Sequence, residues 1–121
     1  MIVLDSSALL AFLGDEAGAA EVQAALEAGA ATGAANWSET AQKVRSRPTD
    51  WDLARGILAT YDLVVEPVTV ADAERAARIW RRGSGLSLGD RLCLALGERL
   101  EAEVLTADRA WGSSGRVRQI R

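Results

Sequence analysis

Short, uniformly apolar runs alternate along this chain with longer stretches whose apolar residues recur at helical spacing. The run Ile2–Leu4 stops at Asp5; Ser6 and Ser7 follow, then the apolar Ala8–Leu13 and a break at Gly14. This order predicts a buried strand leading into a helix. Ala17–Ala28 carries Val22 and Leu26 at helical spacing ahead of Gly29, and Ala31–Ala35 is short enough for a second strand. Asn36-Trp37-Ser38-Glu39 has the form of a capping box opening a helix that ends near Arg47, just before Pro48. Thr49…Asp52, Thr69…Asp72 and Ser87…Asp90 repeat the arrangement, with aspartate in place of the usual Glu or Gln. Leu63–Val65 and Glu103–Thr106 read as strands and Val117–Ile120 as a last edge strand.

Strands this short and this evenly apolar have no wet face, so the sheet is expected to be buried on both sides. The fold class is therefore α/β: a three-layer sandwich with a mainly parallel central sheet and helices on both faces. No repeat or linker divides the chain, and residues 1–121 read as one domain. The glycine-bearing stretches Arg81–Gly85 and Gly112–Gly115 are loops within it.

Composition agrees with a globular domain, since 49% of the residues are hydrophobic and 26% charged. At 121 residues a core forms without disulfide or metal staples. The lone cysteine, Cys93, excludes an internal disulfide and suits a reducing, cytoplasmic setting; inside an apolar helical face it reads as a small core residue. The opening MIVLDSSALL has no basic region and carries an acid in its first apolar stretch, so it does not read as a signal peptide. No apolar run approaches the roughly 20 residues that cross a membrane.

Candidate chemistry lies in the acids. In a parallel α/β sheet the carboxyl ends of the strands and the amino ends of the following helices share one edge, where ligands bind. Asp5 ends the first strand, Glu39 falls in the first turn of the helix after the second, Asp90 opens the helix of LSLGDRLCLAL, and Asp108 follows the strand EVLTA. Each also has an ordinary structural use, because a carboxylate near a helix N-terminus gains about 0.3–1 kcal/mol with no function at all. The conjunction is what points further: two strands of otherwise apolar residues each run into an aspartate. Two carboxylates about 5 Å apart repel by about 3 kcal/mol at an effective dielectric of about 20. A divalent cation removes that penalty, and an all-oxygen ligand set without histidine favours Mg²⁺ or Mn²⁺. Such a site suits phosphodiester hydrolysis.

The segments MIVLDSSALLAFL, NWSE, LSLGDRLCLAL and VLTADRAW resemble, in order and spacing over nearly the whole chain, the PIN-domain ribonucleases, and most closely the VapC toxins of bacterial toxin–antitoxin pairs. The resemblance implies a metal-dependent endoribonuclease whose acidic quartet is Asp5, Glu39, Asp90 and Asp108. Asp5 and Asp90 would bind the metal directly. Glu39 and Asp108 would bind it partly through water or orient the attacking water. Ser6 and Thr106 match positions where a hydroxyl supports the site. It further implies RNA cleavage leaving 5′-phosphate and 3′-hydroxyl ends, a homodimer or dimer of dimers, and a cognate antitoxin. The alternative is a PIN module that processes or binds RNA without its own catalysis.

Charge is compatible with this expectation. Fourteen Lys and Arg against 17 Asp and Glu give −3, which disfavours passive coating of nucleic acid. With the quartet neutralised by a cation, 13 acids face 14 bases, a balance of +1. Candidate phosphate contacts are Arg91 and Arg109, each beside a proposed ligand, with Lys43, Arg45 and Arg47 on the helix of Glu39. Trp37 and Trp111 are candidates for stacking on a base or meeting an antitoxin, and Phe12 and Leu13 for antitoxin contact. A phosphoryl-accepting receiver domain is disfavoured because the one lysine, Lys43, lies in a helix. A haloacid-dehalogenase-type phosphatase is disfavoured because Ser7 stands two positions after Asp5.

Overall fold

In a computed structural model that describes residues 1–121, five strands form one sheet: β1 (Ile2–Leu4), β2 (Ala30–Gly33), β3 (Val64–Glu66), β4 (Glu103–Thr106) and β5 (Val117–Gln119). Their spatial order is β3-β2-β1-β4-β5, and all four pairings are parallel. Six α-helices flank it: α1 (Ser6–Leu13), α2 (Ala19–Ala28), α3 (Ala34–Arg45), α4 (Trp51–Ala59), α5 (Val70–Ile79) and α6 (Leu88–Arg99). One 3₁₀ turn, Arg109–Trp111, follows β4. The three-layer α/β architecture is as the alternation of segments predicts. No helix is long and apolar enough to cross a membrane.

The central strands feed two cores because successive side chains of a strand point to opposite faces. Val3 pairs with Val104, and both pack toward Cys93 and Leu96 of α6. Leu4 pairs with Leu105, and both join Leu9, Val22 and Leu26 of α1 and α2. Gly97 lets α6 sit close on β4, since a Cβ there would stand 2.3 Å from Val104 Cγ2.

Several boundaries differ from the expectation. Gly29, at φ 101°, turns the chain directly into β2, which spans Ala30–Gly33 rather than Ala31–Ala35. Helix α3 therefore starts at Ala34 with Gly33 as its N-cap, and NWSE is not a capping box: Asn36 is already inside the helix. Asp50, not Thr49, caps α4 by accepting from the N–H groups of Asp52 and Leu53, while the Thr49 hydroxyl donates to the Val44 carbonyl. Thr69…Asp72 and Ser87…Asp90 are capping boxes with both reciprocal hydrogen bonds. Gly18, at φ 92°, delays α2 to Ala19. β3 is shifted one residue, to Val64–Glu66.

Helices α5 and α6 run antiparallel. Asp72 in the first turn of α5 pairs with Arg99 at the end of α6 at 3.0 Å, and Arg75 pairs with Glu98 at 2.8 Å. The Asp72 side chain is only 5% exposed. Burial pushes its pKa up, but the Arg99 guanidinium and the bonds from Thr69 outweigh it, holding the group below the usual carboxylate value. Asp72→Ala removes both the cap and the buried partner of Arg99, so urea unfolding near pH 7 is expected to show a loss of about 2 kcal/mol.

Candidate active site

The site lies where β1 and β4 end side by side. Leu4 is in register with Leu105, so Asp5 and Thr106 emerge next to each other at the carboxyl edge. Asp5 is the N-cap of α1 and is only 3% exposed. Its Oδ1 accepts from the Ala8 N–H at 2.8 Å, and its Oδ2 from the Thr106 hydroxyl at 2.6 Å. The Ser7 hydroxyl stands 2.8 and 2.9 Å from the two oxygens. A hydroxyl has one proton to give. Thr106 and Ser7 therefore both spend theirs on Asp5, and their lone pairs accept the backbone N–H groups of Asp108, at 3.0 Å, and Ala107, at 2.9 Å. This network bolts the first strand's aspartate to the loop after β4. The supporting hydroxyl is that of Ser7, not Ser6: as the second residue of α1, Ser7 folds back onto the cap, whereas the Ser6 hydroxyl makes no hydrogen bond to Asp5.

Asp90 is the third residue of α6. Its Oδ2 accepts from the Ser87 N–H at 2.9 Å, its own N–H donates to the Ser87 hydroxyl, and Oδ1 has no hydrogen-bond partner. The capping function suggested by the sequence is thus present, and it occupies one oxygen. Glu39 lies in the second turn of α3, not the first. Its Oε1 accepts from Asn36 Nδ2 at 3.1 Å and rests against Gly89, where a Cβ would come within 2.7 Å of it. Asn36, 1% exposed, also approaches the Gly89 carbonyl at 3.4 Å, which ties α3 to the start of α6. Its orientation is set by those two acceptors, since turning the amide over would face oxygen with oxygen. Asn36 Oδ1 is buried with no partner.

Electrostatics identifies which acids are neighbours. Burial pushes the Asp5 pKa up to about 6 against the pull of its hydrogen bonds, and Asp90 adds to the rise. Cys93, beneath the site, has its thiol pushed well above its usual value by burial and then by Asp5, Asp90 and Glu39. Asp5, Asp90 and Glu39 are thus all near enough to this thiol of α6 to act on it. Asp108 stands apart: it is exposed, and its Oδ1 caps the 3₁₀ turn by accepting from Ala110 N–H at 2.9 Å. Only its backbone, through Thr106, touches the network. No three acidic side chains converge within reach of one coordination point. Like charges spread apart, and the caps made by Asp90 and Asp108 hold them there. The donor set nonetheless fits a hard divalent cation: it is all oxygen, Asp90 lies near enough to Asp5 to raise its proton affinity, and Gly89 leaves Glu39 the space to approach.

The candidate cations and aromatics are placed differently from one another. Arg91 turns away from the edge; its Nη1 donates to the Ala76 carbonyl of α5 at 2.9 Å and its Nε is buried. Arg109 is exposed beside Asp108, and Lys43 is exposed one turn beyond Glu39. Arg45 is the exposed last residue of α3, and Arg47, expected on the same helix, is exposed two residues beyond its end. Trp37 packs edge-on against Trp51, with ring centroids 5.0 Å apart, and Trp111 is 8% exposed; neither presents an open ring. Phe12 packs edge-on against Tyr61. The sequence signals a hydroxyl close behind a capping acid but does not single out Ser7 from Ser6, and the buried use of Asn36 is hidden by the capping-box reading.

The PIN-domain family model matches residues 2–114, and the chain belongs to that family. A search by sequence among curated proteins found no match. Among solved structures, the fold is similar to that of a toxin–antitoxin complex from Klebsiella pneumoniae, with a TM-score of 0.79 and 20% identity over 100% of this chain and 98% of that one. It is similar also to Mycobacterium tuberculosis VapC20, described as a toxin cleaving the sarcin–ricin loop (TM-score 0.74, 17% identity, 95% of each chain). DNA-bound VapBC from Salmonella typhimurium gives a TM-score of 0.73 at 12% identity, over 99% of this chain and 98% of that one. At these identities the likeness is one of fold.

The raised pKa of Asp5 carries a sign. Unfolded, the group ionises near 3.8; folded, near 6. The folded state therefore holds the extra proton between those values, and stability falls as pH rises through that window. The Asp72 shift acts at lower pH, below 3.8, in the opposite sense. In chelator, the wild type is expected to unfold at higher urea at pH 5 than at pH 7. Asp5→Asn should remove most of that difference and stabilise the protein at pH 7 by up to about 3 kcal/mol.

Proposed function

We propose that residues 1–121 act as a single PIN-like domain that is a metal-dependent endoribonuclease, the toxin of a toxin–antitoxin pair. The observation that carries this reading is the buried Asp5 held at the end of β1, with Asp90 opening α6 and Glu39 resting against Gly89 of the same helix, in a chain of the PIN family. Mg²⁺ or Mn²⁺ would be held directly by Asp5 and Asp90, with Glu39 and Asp108 bound partly through water. When bound, the ion neutralises the crowded carboxylates and polarises a phosphodiester as a Lewis acid. Asp5 enters the reaction already fixed by Ser7 and Thr106, so little ordering remains to be done at that ligand. Glu39, anchored through Oε1 by Asn36, keeps Oε2 to orient the attacking water. Attack at phosphorus breaks the bond to the 3′ oxygen and leaves a 5′-phosphate and a 3′-hydroxyl.

The likeness in fold to chains from toxin–antitoxin complexes supports an antitoxin partner; the same reading puts the protein's action on RNA in the cytoplasm. A groove of about 320 Å³ between α1, α3 and α4, lined by Leu10, Leu13, Val44, Leu53 and Ile57, is the seat we assign to it. Leu13 thus keeps its candidate antitoxin contact, while Phe12 is engaged with Tyr61. The active form is proposed to be a homodimer or dimer of dimers.

Purified protein is expected to cleave RNA with Mg²⁺ or Mn²⁺ and to stop in chelator. Asp5→Asn and Asp90→Asn should each lower the rate at least about a hundredfold while remaining folded by circular dichroism, because loss of a ligand exceeds the loss of a supporting group. Sequencing of the ends should find 5′-phosphates, and expression should arrest growth unless the product of an adjacent small gene is supplied. Full activity of both variants overturns the assigned site. Binding of RNA without cleavage or growth arrest would instead identify a non-catalytic PIN module.

A further inference from the structure

Of the four tryptophans, three are committed to packing. Trp51 and Trp111 are buried, and Trp37 is half-buried against Trp51. Trp80 is 50% exposed. It is the C-cap of α5 and opens the turn that leads into α6. Three contacts fix where that turn lies. The pairs Asp72–Arg99 and Arg75–Glu98 set α5 antiparallel to α6, so the end of α5 meets the beginning of α6. Arg91, directly after Asp90, then holds the Ala76 carbonyl one helical turn before Trp80, about 6 Å along the axis. Trp80 is thus brought to the same end of α6 that bears Asp90.

The turn is cationic as well as aromatic. From Arg78 to Leu86 it contains Arg78, Arg81 and Arg82 and no acid. None of the three takes part in an ion pair; the bridges use Arg75, Arg99, Arg118 and Arg121. Arg81 closes α5 by donating to the carbonyls of Arg78 and Trp80, which fixes the backbone of Trp80. Arg82 places its guanidinium over the indole, 5.9 Å from the ring centroid. Gly83 and Gly85, both at positive φ, turn the chain back toward α6 without a side chain in the way.

An exposed indole with a guanidinium on it, in a stretch of unpaired arginines, combines a π surface with positive charge. That is the chemistry of single-strand binding, where bases stack on aromatic rings and arginines track the phosphates. We propose that Trp80, with Arg78 and Arg82, is a stacking platform for an unpaired base of single-stranded RNA running toward the acidic site. The proposal rests on the ribonuclease reading for its substrate. It assigns Arg91 a positioning role, holding the platform against α6, in place of the direct phosphate contact expected from sequence.

Binding measured by fluorescence anisotropy in chelator tests the platform without requiring cleavage. The probes are a labelled single-stranded oligoribonucleotide and an abasic ribose-phosphate oligomer of equal length. Wild type is expected to prefer the base-bearing strand by about tenfold; Trp80→Ala and Trp80→Leu should lose that preference, and Trp80→Phe should keep most of it. Arg82→Ala should weaken both ligands alike and reduce the salt dependence of log affinity by about 1. A wild-type preference retained by Trp80→Ala overturns the platform. So does unchanged RNA affinity accompanied by altered sedimentation of Trp80→Ala, which would make the patch a protein interface. If wild type shows the Trp80-dependent preference yet leaves RNA intact with Mg²⁺ or Mn²⁺, the platform stands and the ribonuclease reading falls. If RNA is cleaved but its binding does not depend on Trp80, the ribonuclease reading stands and the platform falls.

Discussion

The hydrogen bond that Thr106 donates to Asp5 depends on one feature of topology, the parallel pairing of β1 with β4. Because Leu4 and Leu105 are in register, Asp5 just past the end of β1 stands beside Thr106 at the end of β4, and an acid meets a hydroxyl far from it in sequence. Burial then makes the arrangement costly for a charged group, which is why its pKa stands near 6 in spite of its donors. Three donors orient the carboxylate and do not neutralise it. The fold thus supplies position and leaves a demand for positive charge, which is the condition a cation-binding site requires.

Asp90 illustrates how a structural and a chemical use share one side chain. The capping box with Ser87 engages Oδ2 and sets the side chain's rotation, and Oδ1 is left without a partner. Glu39 is held in a similar way, through Oε1 by Asn36. In both cases the fold occupies one oxygen and leaves the second, so a helix-capping explanation and a ligand explanation do not compete. Helix α6 is the common support: it bears Asp90, receives Glu39 at Gly89, and carries Cys93 beneath them.

The layered α/β arrangement is legible in the sequence because its signals are local. Ile2–Leu4 ending in Asp5, the boxes at Thr69 and Ser87, and the run Glu103–Thr106 each declare an element within a few residues. The differences arise where two local signals overlap or where tertiary packing decides. Gly33 ends a strand and caps a helix at once, so the spacing alone puts the opening of α3 too late and Glu39 a turn too early. Ser6 and Ser7 are equivalent by composition, and only the geometry of the cap distinguishes them. Arg91 and Trp37 stand in the sequence as candidate contacts for a partner molecule, yet a carbonyl on α5 and the ring of Trp51 claim them, and neither partner is near in sequence. Asp108 sits after the expected strand, but the pull of its own 3₁₀ turn on the carboxylate is a matter of side-chain rotation that no spacing records.

The Thr106–Asp5 bond joins residues 101 positions apart. During synthesis Asp5 leaves the ribosome early, and its clamp arrives only after six helices and three further strands have been made. A nascent chain that has not reached Thr106 has the acid with its two local donors, Ser7 and the Ala8 N–H, and without the third. Under the ribonuclease reading, the ribosome that makes this protein is spared a working site until β4 has been made.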